Sequence, residues 1–194
     1  MIPLRRLTLA AMTAALALAL SACIFGSDDD NGGGSAADYL PLTEGNMWRL
    51  TAGQLLSVRW DVYGDSTSNG VTWHGMRIFI SQGEAFMQAL TGDAAHVDGE
   101  IIFKADGVGE GVFLREPVEA GQSWTDEWGS TEILSVGETV SVPAGSFSDV
   151  VKVKKETPEG DQIYYFAKGV GPVKAEFTIQ SLAIAVELIE YSVN

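Results

Sequence analysis

Asp126 and Glu127 stand side by side between Trp124 and Trp128. Acids flanked by indoles are the material of a sugar site. Aromatic faces stack on the ring while one carboxyl supplies a proton and a second attacks or activates water. That chemistry needs two carboxyls at a defined separation, which adjacency in sequence does not supply. In a chain with 26 Asp+Glu against 12 Lys+Arg, solvated surface acids are the plainer reading. Trp73 lies in a run where both faces read apolar, with Arg77 and Phe79 on its own parity and Met76, Ile78 and Ile80 opposite. Such a strand is either central in a sheet or open to a ligand groove. Trp73, Trp124 and Trp128 are therefore the candidate ligand-facing aromatics, whereas Trp60 falls in phase with aliphatics and reads as core. The two histidines, His74 and His96, belong to no H-x-x-x-H or H-E-x-x-H pattern, and neither a G-x-S-x-G elbow nor a phosphate-binding glycine loop is present. The glycines of Gly107-Val108-Gly109-Glu110-Gly111 read as a turn, since no basic residue or helix start follows them. No catalytic residue, metal site or cofactor is expected.

One thiol remains, Cys23, and a single Cys excludes disulfide frameworks and Cys-rich metal centres. It is preceded by Arg5 and Arg6, an apolar run from Leu7 to Leu20, and then Ser21-Ala22. The run is too short to span a bilayer comfortably and suits an export signal. Leu20-Ser21-Ala22-Cys23 resembles the bacterial lipobox. That resemblance implies diacylglycerol on the Cys23 sulfur, cleavage before Cys23 and acylation of the new amine. Several acyl chains at ~0.8 kcal/mol per buried CH₂ make a durable anchor. Ile24, in place of Asp after the Cys, resembles routing to the outer membrane. Removing residues 1–22 takes away two cations and no acid, so 10 cations against 26 acids leave −16. Such a body opposes nucleic acid and anionic lipid, and contact with the membrane rests on the anchor alone.

Gly26 to Asp38 contains no large apolar residue and reads as a flexible acidic tether within a lipidated segment 23–38. Asp28-Asp29-Asp30 lacks the other ligands of an EF-hand loop, while Ser27-Asp28-Asp29-Asp30 resembles the acidic export signal of surface lipoproteins. From Tyr39 to Asn194 the chain reads as one β-rich domain with period two. Leu56, Val58, Trp60 and Val62 alternate with polar residues, as do Val173, Ala175, Phe177 and Ile179. Leu134, Val136, Val140 and Val142 share one parity. Ser68-Asn69-Gly70 and Pro158-Glu159-Gly160-Asp161 read as hairpin turns. Glu84 to Leu90 is ambiguous, with the propensity of a short helix. The expected fold is mainly β: an antiparallel meander of roughly ten to twelve strands, forming a sandwich or a half or closed barrel. P-[LV]-x-x-G-x-x-W recurs at Pro41 and Pro117, and Gly-Val-Gly recurs at Gly107 and Gly169. Tandem repeats over 41–116 and 117–194 would place Trp48 with Trp124 and Gly107 with Gly169.

Three stretches carry a family resemblance: Tyr39-Leu40-Pro41-Leu42 with Gly45-Asn46-Met47-Trp48, then Val142-Pro143-Ala144-Gly145-Ser146-Phe147, then Tyr165-Phe166-Ala167-Lys168-Gly169-Val170-Gly171. Together they resemble bacterial β-rich lipoproteins patterned Y-F-P-L…G-N-x-W, V-P-A-G-[ST]-F, Y-[FY]-A-x-G-[VI]-G. The likeness covers most of 39–194, with Leu40 in place of the usual Phe and Ser146 in place of the commoner Thr. It implies an envelope β-protein and carries over no catalytic residue. The expected function is a lipid-anchored, non-catalytic binding or structural module of the outer membrane, with a glycan, a hydrophobic ligand or an envelope protein as partner. A carrier of a hydrophobic ligand in a half barrel and a carbohydrate-active enzyme using Asp126/Glu127 are the alternatives. A filled interior would favour the first, a large apolar cavity the second, an aromatic cleft with paired carboxylates the third.

Overall fold

The computed structural model describes residues 34–82, 85–157, 160–179 and 182–194; the signal segment, Cys23 and residues 23–33 of the tether lie outside them. Twelve strands follow one another: β1 (Met47–Thr51), β2 (Ser57–Ser68), β3 (Val71–Gln82), β4 (Ala85–Val97), β5 (Glu100–Ala105), β6 (Gly109–Arg115), β7 (Ser123–Asp126), β8 (Gly129–Val142), β9 (Gly145–Thr157), β10 (Gly160–Ala167), β11 (Gly171–Ile179) and β12 (Leu182–Ser192). Their order in the sheet is β6-β5-β4-β3-β2-β1-β12-β11-β10-β9-β8-β7, an antiparallel meander curled into a nearly closed barrel. Sheet neighbours are sequence neighbours except β1 and β12, which pair from Met47↔Ser192 to Thr51↔Glu187. That ladder joins two six-strand meanders.

Local chemistry explains the hairpins. Asn69 and Gly70 adopt φ of 52° and 79°, and Asp98 and Gly99 adopt 50° and 79°. Positive φ at both central residues gives the turn whose twist matches paired strands. Val58, Trp60 and Val62 point inward and are buried, as the alternation requires. Two expectations need correction. The ambiguous segment is strand from Ala85 onward: β4 pairs with β3 from Gln82↔Ala85 to His74↔Ala94, and Glu84 lies outside the described residues. Pairing to a long neighbour overrides helix propensity here. The parity read along β8 also breaks. Its register with β9 shifts between Ile133 and Ser135, so Ile133 is buried and Leu134 is turned out, 38 % exposed. A bulge inserts a residue and reverses which parity faces the core.

Trp48, Leu50, Met76, Ile101, Phe103, Leu114, Ile133, Phe166 and Leu188 fill the interior. Trp60 packs on Phe113 with ring centroids 5.3 Å apart, and Phe113 on Phe103 at 5.7 Å. Each such side chain contributes about 1.5–3 kcal/mol on burial. The end of the barrel that holds the 69–70, 98–99 and 168–170 turns is closed by the N-terminal segment. Ala36 is 1 % exposed, and Tyr39, Leu40 and Leu42 are buried with it. Gly169 N–H donates to Asp38 O at 2.6 Å, and Asn46 Nδ2 donates to Pro41 O at 2.9 Å. The barrel's packing therefore includes the last residues assigned to the tether. The β8–β9 arm leans across β10 and β11, where Ala144 N–H donates to Leu188 O of β12 at 2.9 Å. The Val142–Phe147 motif is the tip of that arm.

Trp48 and Trp124 are each the second residue of a short strand that follows a glycine, at φ 92° for Gly45 and 88° for Gly121. The two Gly-Val-Gly turns share backbone angles, yet one joins β5 to β6 and the other β10 to β11. They fall after the fifth strand of one half and the fourth of the other, so they are not equivalent positions. The need of a tight turn for positive φ accounts for their likeness.

Candidate functional site at the barrel seam

The sheet order begins at β6 and ends at β7, and these edges meet without a backbone ladder among the described residues. Beta7 places Asp126 on the inner parity beside this seam. Its carboxylate is saturated. Oδ1 accepts Trp128 N–H at 2.7 Å, Oδ2 accepts Val112 N–H of β6 at 2.8 Å, and Lys155 Nζ of β9 reaches both oxygens at 3.1 and 2.8 Å. The Asp126 and Lys155 side chains are 10 % and 8 % exposed. Burial pushes the Lys155 ammonium below its ordinary pKa, and the Asp126 carboxylate opposes that shift. A pair this deep gives up solvation for mutual attraction, so its net worth lies in what each charge would cost alone. Glu127, on the exposed side, accepts Glu110 N–H at 2.9 Å.

These contacts correct the surface-acid reading for Asp126, which is 10 % exposed and paired with Lys155, while Glu127 stays exposed. The two carboxylates do not face each other across a cleft. Both cap amides of the unpaired β6 edge, at Glu110 and Val112. Trp128 completes the closure. Its ring covers Gly111 so closely that a Cβ there would lie 2.3 Å from Trp128 Cδ2. The same ring meets Phe103 and Phe113 edge-on, at 5.7 and 6.0 Å.

The candidate aromatics are not gathered in one place. Trp124 is 5 % exposed, an interior residue with the Arg115 guanidinium 5.7 Å from its ring. Inward parity on β7 buries most of Trp124, which still borders a hollow along β7–β9, while Trp128, in the turn after β7, is half-buried against Phe103 and Phe113. Trp73 alone lies outside, half-buried, with Lys104 Nζ 4.2 Å above its ring. On the same outer face Arg77 lies 3.9 Å from the Tyr63 ring. The histidines have separate partners: His74 Nδ1 lies 2.8 Å from Asp65 Oδ1, and His96 Nε2 lies 3.1 Å from Leu40 O. Burial holds His96 below the usual imidazole pKa. Among the described residues no three His, Cys, Asp or Glu side chains gather as a metal site. Lys155 is the residue that sequence reasoning missed, and Gly111, read there as part of a turn, lies in strand β6. A lone Lys on the apolar parity of β9, beside Val151 and Val153, was the available signal.

A hollow of about 330 Å³ lies along β7–β9, lined by the buried Trp124 and Thr131 together with Ser123, Ser130, Lys154 and Glu156. A shallower groove of about 620 Å³ runs beside Ser35, Glu116, Pro117 and Val118.

In sequence the chain matches no family profile and no curated protein. Two crystal structures share its fold: a candidate lipoprotein of Parabacteroides distasonis and a candidate exported protein of Bacteroides fragilis, the latter described as having a YmcC-like fold. Each is 15 % identical and aligns over 79 % of this chain and 98 % of its own length, with TM-scores of 0.52 and 0.53 respectively. At that identity the likeness is one of fold: this chain and those two bacterial proteins share one β-barrel architecture.

Proposed function

We propose that the protein is a lipid-anchored lipoprotein of the outer membrane, acting as a non-catalytic binding or structural module. The observation that carries this reading is the destination of its carboxylates and aromatics. Asp126 and Glu127 bond to the β6 edge, and Trp128, Phe103 and Phe113 pack on one another inside the barrel. Carboxylates bonded to backbone amides, with an interior filled by aromatic rings, suit a binding or structural module better than a glycosidase. The fold shared with a candidate lipoprotein and a candidate exported protein supports an envelope location, and the Leu20-Ser21-Ala22-Cys23 motif supports the anchor. Contact with a glycan or an envelope protein falls to the outer face, where Trp73 and Tyr63 lie beneath Lys104 and Arg77.

The test is Cys23→Ala in the native host. The wild type should stay with outer membranes through a carbonate wash and carry the acyl mass increment. The variant should lose both, and a variant that remains membrane-bound would end the proposal.

A further inference from the structure

Every other wall contact of the barrel is a backbone ladder, but the β6–β7 seam is held by side chains. Val112 N–H and Glu110 N–H, two residues apart on one edge, bond to Asp126 and Glu127 where a neighbouring strand would offer carbonyls. Between these two amides Trp128 sits on Gly111. A ladder parts only when the main chain moves cooperatively. A carboxylate leaves an amide by rotating about its own side-chain bonds, and water then solvates both groups. Directly behind the seam lie Trp128, Phe103, Phe113 and Trp60, in continuous ring contact.

The geometry points to a side gate: β6 and β7 part along this seam while the backbone ladders stay closed, and the opening bares the aromatic interior. Asp126 is the latch. It bridges β6 to β9, through Val112 and Lys155, and accepts Trp128 N–H, so its release loosens the β6 edge and Trp128 together. Glu127, exposed and with one bond to β6, is the weaker clasp.

Hydrogen exchange on the mature lipoprotein in detergent, followed on peptides covering 109–115 and 57–82, tests this. In the wild type the Glu110 and Val112 amides should exchange ahead of the β2–β3 ladder. Glu127→Gln and Asp126→Asn should each accelerate them, Asp126→Asn by about tenfold or more, with 57–82 unchanged. Glu127→Gln keeps the test valid where Asp126→Asn fails to fold. A clamp gives the converse. A Cβ at Gly109 would lie 3.9 Å from Glu127 Cβ, within disulfide range, so Gly109→Cys with Glu127→Cys joins the edges. Gly109 has φ of 113°, so the backbone strain of a Cys there is common to the reduced and oxidised forms and drops out of their comparison. The oxidised form should exchange at β6 more slowly than the reduced form, with 57–82 alike in the two. Exchange of β6 at the rate of the β2–β3 ladder in all variants, or acceleration of both regions together, would overturn the gate.

Discussion

Trp48 is fully buried, its Nε1–H donates to Val170 O at 2.6 Å, and its ring occupies the space over Gly171. One side chain thus ties β1 to the β10–β11 turn across 122 residues of sequence. Trp48→Phe removes the N–H and leaves the Val170 carbonyl without that donor, at a cost of about 1–3 kcal/mol. The smaller ring also leaves a void; full truncation of such a residue to Ala costs about 3–5 kcal/mol, and Phe about a third of that. The two contributions together come to roughly 2–5 kcal/mol, out of a total stability on the order of 5–15 kcal/mol. For a body of this size each kcal/mol lowers Tm by about 2–4 °C, so a fall of roughly 5–20 °C is expected by circular dichroism. Urea titration should show the midpoint moving with an unchanged slope. Trp73→Phe is the control. That indole lies half-buried on the outer face, and its loss should cost under about 1 kcal/mol. A Trp48→Phe protein melting within a degree of wild type, or a Trp73→Phe protein falling as far, would show that the tie at Val170 is not what holds this end of the barrel.

Stability should decline on acidification in two stages. His96 is held below 6.5 by burial, so the unfolded chain binds the proton first; its contribution is complete above 6.5 and declines as pH falls from there towards the lowered value. Glu116 is held below 4.5 by hydrogen bonds from Ser35 Oγ and Ala36 N–H, so its contribution is present above 4.5 and disappears as pH drops through the lowered value. Urea midpoints from pH 8 to pH 4 should show a slope that His96→Gln flattens in the upper part of the range, and an unaltered slope there would refute the assignment. Gly70→Ala, at φ of 79°, should destabilise by about 1 kcal/mol in thermal melts, while Gly70→Asn should restore most of the loss.

How much of this was legible beforehand depended on range. Strand β2 was readable because Val58, Trp60 and Val62 alternate without interruption, and its turn because Asn69-Gly70 needs no distant partner. The β8 parity was not readable. A bulge changes no residue type, and nothing in Ile133-Leu134-Ser135 marks the extra residue. Strand β4 escaped for the opposite reason: its local preferences argue for helix, and only the β3 ladder overrules them. The candidate site failed on distance as well. Asp126 and Glu127 were visible as carboxylates beside tryptophans, but their partners are Val112, Glu110 and Lys155, up to 29 residues away. The burial of Ala36 and Tyr39 was hidden behind a Gly-Ser-Asp composition that continues almost to the first buried residue.

The single long-range ladder, between β1 and β12, has a kinetic meaning. Every other pairing joins strands consecutive in the chain, so each six-strand half can zip from its hairpins with short loops to close. The barrel exists only once Met47 meets Ser192, and the entropy of bringing the two halves together is concentrated in that one encounter. Trp48, on β1 and tied to the β10–β11 turn, and Asn46, whose Oδ1 accepts Asn194 N–H at 2.9 Å, sit at the point of closure. If that encounter limits the rate, substitutions there should retard folding, whereas substitutions in the outlying hairpins should chiefly hasten unfolding, which stopped-flow chevrons would read.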